Sequence, residues 1–242
     1  MAHNHPSGDP EPSEGDLSIT KRLGLGRPQD RRSPLLMTSA SNSRDRRSAG
    51  SPRLDALEQE AQAEKLEGGY AFAPIVRADM LLDAGQPEAA LRQVALGMQR
   101  GQKPGLPGAT VNAVRRAGLT TRTAVEARLG KVEDAAKTLA LLEAEAKAAP
   151  ANAGLQSQLQ FGRGELALAR GEAKAAAEAF ARCIEQDSYA HWRQTVALEK
   201  AGDVDGAAQG RKKLLSANRR DGEYLYVRSQ LSAGQTMTGR KD

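Results

Sequence analysis

The chain has 242 residues, 39% of them hydrophobic and 27% charged, with a formal net charge of +5. Only 3% of residues are aromatic while Ala is abundant, which disfavours a sandwich or barrel rich in β-branched and aromatic side chains and favours closely packed helices. A single cysteine, Cys183, excludes an internal disulfide and any Cys-rich zinc module, and no run approaches about 18 consecutive apolar residues, so an all-α, cytoplasmic, non-membrane chain is expected.

The chain opens on a group of metal-ligand residues. His3 and His5 flank Asn4, Asp16 follows downstream, and Ser13 stands three residues before it. Two imidazoles and a carboxylate are three donors of the kind that hold Zn²⁺ tetrahedrally, with the fourth corner left to water. The wording His3-Asn4-His5-Pro6-Ser7-Gly8-Asp9-Pro10, then Ser13, Asp16 and Thr20-Lys21-Arg22-Leu23, resembles the zinc motif of the JAB/MPN (JAMM) metallopeptidases in its RadC-like, DNA-repair-associated branch. The resemblance implies zinc on His3, His5 and Asp16, an oxyanion contact from Ser13, and a hydrolase whose proton shuttle is a Glu on a preceding strand. Only Met1 and Ala2 precede His3, so residues 1–23 are expected to be a truncated motif that does not fold as that domain and lacks its catalytic Glu. Such an opening fits a start at an internal Met, a frameshift or a fusion.

Residues 24–51 are rich in Arg, Ser, Pro and Gly, with Leu35-Leu36-Met37 as the one apolar cluster, and are expected to be a disordered basic linker. With the motif before it, this makes a disordered N-terminal segment of about 50 residues. Positive charge is dense here and just beyond, at Arg27, Arg31, Arg32, Arg44, Arg46, Arg47 and Arg53, while the later sequence mixes both signs without an aromatic-interleaved basic stripe, so nucleic acid is disfavoured as a partner. Ser51-Pro52 reads as an N-cap with Pro at the first helical position, opening a helix from Arg53 that closes at Gly68-Gly69.

Four later segments share one pattern, a Gly between two helical stretches followed five residues on by Ala. They are Gly85-Gln86-Pro87-Glu88-Ala89-Ala90, Gly130-Lys131-Val132-Glu133-Asp134-Ala135, Gly171-Glu172-Ala173-Lys174-Ala175-Ala176 and Gly202-Asp203-Val204-Asp205-Gly206-Ala207. The Gly can take the left-handed conformation that ends a helix, and the Ala lets the returning helix approach closely. The spacing predicts hairpins pairing 71–84 with 87–100, 119–129 with 132–148, 153–170 with 173–187, and 189–201 with 204–217. Gly101 to Gly108 is too rich in Pro and Gly to be helical, Ala109–Ala117 reads as an extra short helix, and Tyr224, Val227 and Leu231 form the stripe of a terminal capping helix.

This arrangement resembles the tetratricopeptide repeat. In the third unit Gly164 falls at the Gly of the first helix, Ala176 and Phe180 at the Ala and aromatic of the second, and Cys183 at the small residue beyond. Elsewhere Val94, Leu139 and Arg211 replace the aromatic, and the turn glycines at 85, 130, 171 and 202 are spaced unevenly against about 34 residues in that family. The expected architecture is a TPR-like helical-hairpin solenoid over 52–233 with a disordered tail at 234–242. The resemblance implies a non-enzymatic scaffold whose first helices line a concave face for a peptide segment of a partner protein, and Arg77, Arg122, Glu126, Gln160 and Arg193 are the residues expected to contact it. Cys183 and the Tyr189-His191-Trp192 cluster read as packing residues. The competing reading is the zinc hydrolase, inactive without its Glu.

Overall fold

A computed structural model describes residues 67–217, together with Asp55, Glu58, Gln59, Gln62, Tyr224, Val227, Arg228, Gln230 and Leu231. These residues are all-helical, with no strand among them. In chain order the helices are α1 Glu67–Asp83, α2 Pro87–Arg100, α3 Gly108–Arg128, α4 Val132–Ala148, α5 Ala153–Ala169, α6 Ala173–Ala181, α7 Ser188–Lys200 and α8 Val204–Ser216. The nine residues outside 67–217 are also helical. The chain divides into two compact units, one ending at Gly118 and the other taking in Leu119 onward, with the division inside α3.

The four glycine turns are the same structure repeated. Gly85, Gly130, Gly171 and Gly202 have φ of 73°, 73°, 78° and 81°, a region that costs an L side chain but not glycine. At each, the glycine amide donates to the carbonyl three residues back and the next amide donates to the carbonyl five residues back. The bonds are Gly85 N to Leu82 O and Gln86 N to Leu81 O, Gly130 N to Ala127 O and Lys131 N to Glu126 O, Gly171 N to Leu168 O and Glu172 N to Ala167 O, and Gly202 N to Glu199 O and Asp203 N to Leu198 O. This pair of bonds satisfies carbonyls that a helix end leaves without partners and reverses the chain. Five residues after each glycine stands the predicted alanine, and Ala90, Ala135, Ala176 and Ala207 are each 0% exposed. Seven residues before it stands Ala78, Thr123, Gly164 or Thr195, all buried. Small residues on both arms let the helices approach closely. The hairpins are therefore α1/α2, α3/α4, α5/α6 and α7/α8.

In the unit ending at Gly118, α1 packs on α2, and Ala71, Ile75 and Val114 form the core with Phe72 and Ala117 against them. Two sequence expectations are corrected here. Gly68 and Gly69 do not end a helix but lie in the first turn of α1, which also runs through the buried Pro74. Pro74 lacks the N–H that would reach Tyr70 O, and that carbonyl instead accepts from Arg100 Nη1 at 3.2 Å, while the same guanidinium sits 3.8 Å over the Tyr70 ring. An external donor thus supplies what the proline removes. The second correction is α3, one continuous helix where a short extra helix and a separate hairpin arm were expected. Gly118 lies inside this helix, and Met98 fills the space its side chain would take, with Cγ only 2.6 Å from where a Cβ would stand.

In the unit from Leu119, α4 packs on α5, α5 on α6, α6 on α7, and α7 on α8. One of its apolar clusters joins Ala167, Ala176, Ala177, Phe180, Cys183, Ala190 and Ala197. Helix α6 stops at Ala181, short of the expected residue 187, and Cys183 follows it, still buried, with its thiol aimed at Ser157 O at 3.5 Å. Val227 and Leu231 pack with Leu214, and Tyr189, Trp192 and Leu215 lie against them, so the expected terminal stripe does cover α7 and α8.

Candidate functional site

The most developed polar constellation among the described residues lies on the first helices of three successive hairpins. Glu165 of α5 is 1% exposed and sits between Arg128 of α3 and Arg193 of α7. Arg193 Nε and Nη2 donate to Glu165 Oε1 and Oε2 at 2.6 and 3.0 Å, and Arg128 Nε and Nη2 donate to Oε2 and Oε1 at 3.2 and 3.3 Å. One carboxylate accepts two guanidinium forks. Arg128 Nη2 also donates to Tyr189 Oη at 2.9 Å, and the Tyr189 ring packs between Phe161 and Trp192, with centroids 5.8 and 5.3 Å away.

The electrostatics follow from this geometry. Burial favours the neutral acid of Glu165, but the adjacent Arg128 and Arg193 charges and their hydrogen bonds outweigh it and hold its pKa below the usual carboxylate range. Burial likewise opposes the charge on Arg128, and Glu165 and then Tyr189 outweigh it, so Arg128 stays protonated. A carboxylate fixed in this way is neither a proton shuttle nor a nucleophile at neutral pH; it is a structural anion.

The residues singled out in the sequence divide between the two units. Arg77 on α1 donates to Asp55 and Glu58, and Arg100 reaches the same Glu58, which ties these two acids to α1 and α2. Arg122 on α3 is about half exposed and donates from Nε to Glu126 at 2.7 Å. Glu126 is buried and also accepts from Thr138 Oγ1 of α4 at 2.6 Å, closing that hairpin. Gln160 and His191 occupy equivalent places, eleven residues before their turn glycines, where Leu119 and Pro74 are buried in the other two hairpins. Gln160 Oε1 and His191 Nε2 are buried without a hydrogen-bond partner. Arg193 belongs to the Glu165 cluster, and the structure brings none of the other four residues into it. Tyr189 and Trp192 pack as expected. Cys183 is no nucleophile: burial, then the Asp187 charge, push its thiol up to about 12 against a hydrogen bond to Ser157.

Sequence reasoning missed Glu165 and Arg128. The available signal was a lone acid in the apolar stretch Phe161-Gly162-Arg163-Gly164-Glu165-Leu166-Ala167-Leu168, where a carboxylate has to bring its own cations.

Ser13, His3, His5 and Asp16 lie outside the described residues. Among the described residues no three His, Cys, Asp or Glu side chains are grouped to hold a metal ion, and no helix is long and apolar enough to cross a membrane. Residues 1–26 match the family model of the RadC-like JAB domain. No curated protein and no solved structure matches the chain.

Proposed function

We propose that the helical hairpins form a TPR-like, non-enzymatic scaffold that holds a peptide segment of a partner protein along the first helices of the hairpins. The observation that supports it is the fourfold identity of the turn: a left-handed glycine, the same two closing hydrogen bonds, and a fully buried alanine five residues on. Repeated hairpins bury their second helices against neighbours and offer the first helices as a binding face. Arg122, exposed and held by a single ion pair to its own helix, is the partner-contact residue most open to a ligand in the unit from Leu119, and Arg77 on α1 is the candidate in the other unit.

The test is a selection from a displayed peptide library on the purified chain, followed by calorimetry. Arg122→Ala weakens the selected peptide at least about tenfold, a loss of roughly 1.4 kcal/mol, while Lys137→Ala on the second helix of the same hairpin leaves affinity unchanged. A library that yields no binder tighter than about 1 mM refutes the scaffold reading.

The family match over residues 1–26 favours a second reading, a RadC-like JAB metallohydrolase. His3, His5 and Asp16 would hold zinc, and Ser13 would stand beside the reacting oxygen. Zinc at such a site activates water and polarises a carbonyl. Metal content by mass spectrometry after dialysis decides it: one zinc per chain, lost in His3→Ala, supports the reading, and metal-free protein at micromolar zinc rules it out.

A further inference from the structure

We propose that the Arg128–Glu165–Arg193 triad is a registry device, which fixes how three successive hairpins pack against one another and is not needed for the hairpins themselves to form. Each hairpin closes locally through its turn bonds and its buried alanine. The triad cannot belong to any one of them, because Glu165 is 37 residues from Arg128 and 28 from Arg193, and the three side chains come from α3, α5 and α7.

The chemistry fits a device for direction more than for strength. Apolar attraction is itself non-directional, whereas a guanidinium fork on a carboxylate is planar and tolerates little rotation. Two such forks on one carboxylate define the position of α5 relative to both neighbours. Tyr189 extends the lock, since its hydroxyl takes the Arg128 bond while its ring is fixed by Phe161 and Trp192. Burying one carboxylate and two guanidiniums is costly, and apolar replacements of similar volume are often at least as stable, so the return for the charges is sought in geometry.

Spin labels on the exposed Ala140→Cys of α4 and Lys212→Cys of α8 report the disposition of the hairpins, and the buried native Cys183 reacts slowly enough to be left in place. In the triple variant Arg128→Met/Glu165→Leu/Arg193→Met the helical circular dichroism and the cooperative melt persist, while the interlabel distance distribution shifts or broadens. An unchanged distribution overturns the proposal, and so does a triple variant that loses helicity, since the triad would then be a source of folding energy. Glu165→Gln, which leaves two guanidiniums facing each other, broadens the distances and speeds amide exchange in α5 and α7; wild-type distances and exchange in that variant also overturn it. No partner enters either measurement, so the outcome stands apart from the peptide-binding reading.

Discussion

Gly164→Ala puts the packing of the third hairpin to the test. A Cβ on Gly164 would stand 2.5, 2.6 and 2.8 Å from Phe180 Cε1, Cζ and Cδ1, where carbon atoms normally rest about 3.5–4.0 Å apart. The ring therefore has to retreat by about 1 Å, yet it is fully buried, flanked by Ala176, Ala177 and Cys183, and packed against Phe161 at 5.7 Å. Overpacking of this kind costs about 1–3 kcal/mol, and three ring atoms in conflict put it near the top of that range. Replacing a mid-helix glycine by alanine returns about 1 kcal/mol of helix propensity. The net destabilisation is about 2 kcal/mol, or roughly 4–8 °C in Tm for a chain of this size. Chemical denaturation of Gly164→Ala, Phe180→Leu and the double variant supplies the assay. In the Phe180→Leu background the smaller side chain leaves room, so Gly164→Ala becomes neutral or stabilising there, an interaction energy of about 2 kcal/mol. Gly154→Ala in the first turn of the same helix is the control, since its Cβ would meet nothing closer than 3.6 Å. A Gly164→Ala cost within about 0.5 kcal/mol of zero, or the same cost with and without the Phe180 ring, refutes the close approach of α5 and α6.

Arg100→Met leaves Tyr70 O without its donor and costs about 1–3 kcal/mol; Pro74→Ala, which restores an N–H in α1, recovers part of that loss in the double variant, and additivity of the two changes in urea melts would contradict the exchange of donors. The folded pKa of Glu165 lies below its ordinary 4.5, so its ion pairs stabilise the protein fully above that value and lose their contribution as pH falls from about 4.5 through the folded pKa. Thermal melts should show wild-type Tm flat down to about pH 5 and then dropping, with a shallower drop in Glu165→Gln; parallel curves for the two proteins would exclude Glu165 as a source of the acid sensitivity. Cys183, with its thiol pushed up to about 12 and buried, should react with a thiol reagent at pH 8 only as fast as the chain opens, and rapid labelling of the folded protein would contradict its placement.

The hairpins were legible because their determinants are local. A glycine that must turn left-handed and an alanine that must fit a close approach are fixed by contacts within a few residues, and both stand in the sequence at Gly130 and Ala135 as plainly as at Gly171 and Ala176. Helix ends were less legible where distant side chains intervene. Gly68 and Gly69 look like terminators until Arg100 is seen to satisfy the carbonyl that Pro74 strands, and Gly118 looks like a break until Met98 is seen to fill its space. The Glu165 cluster was the least legible, because its three members are far apart in the chain and each, read alone, is an ordinary charged residue on a helix. Arg193 was singled out for a partner's contact, and its side chain is bound to Glu165.

The gap between local and distant contacts also orders events during synthesis. Each glycine turn can close as soon as its own two arms have left the ribosome, and closing so short a loop is fast. Glu165 emerges 28 residues before Arg193, so for that interval its carboxylate has one cation where the finished protein gives it two. The lock on α5 is therefore completed only once α7 has been made, whereas the turn at Gly171 needs nothing beyond its own hairpin.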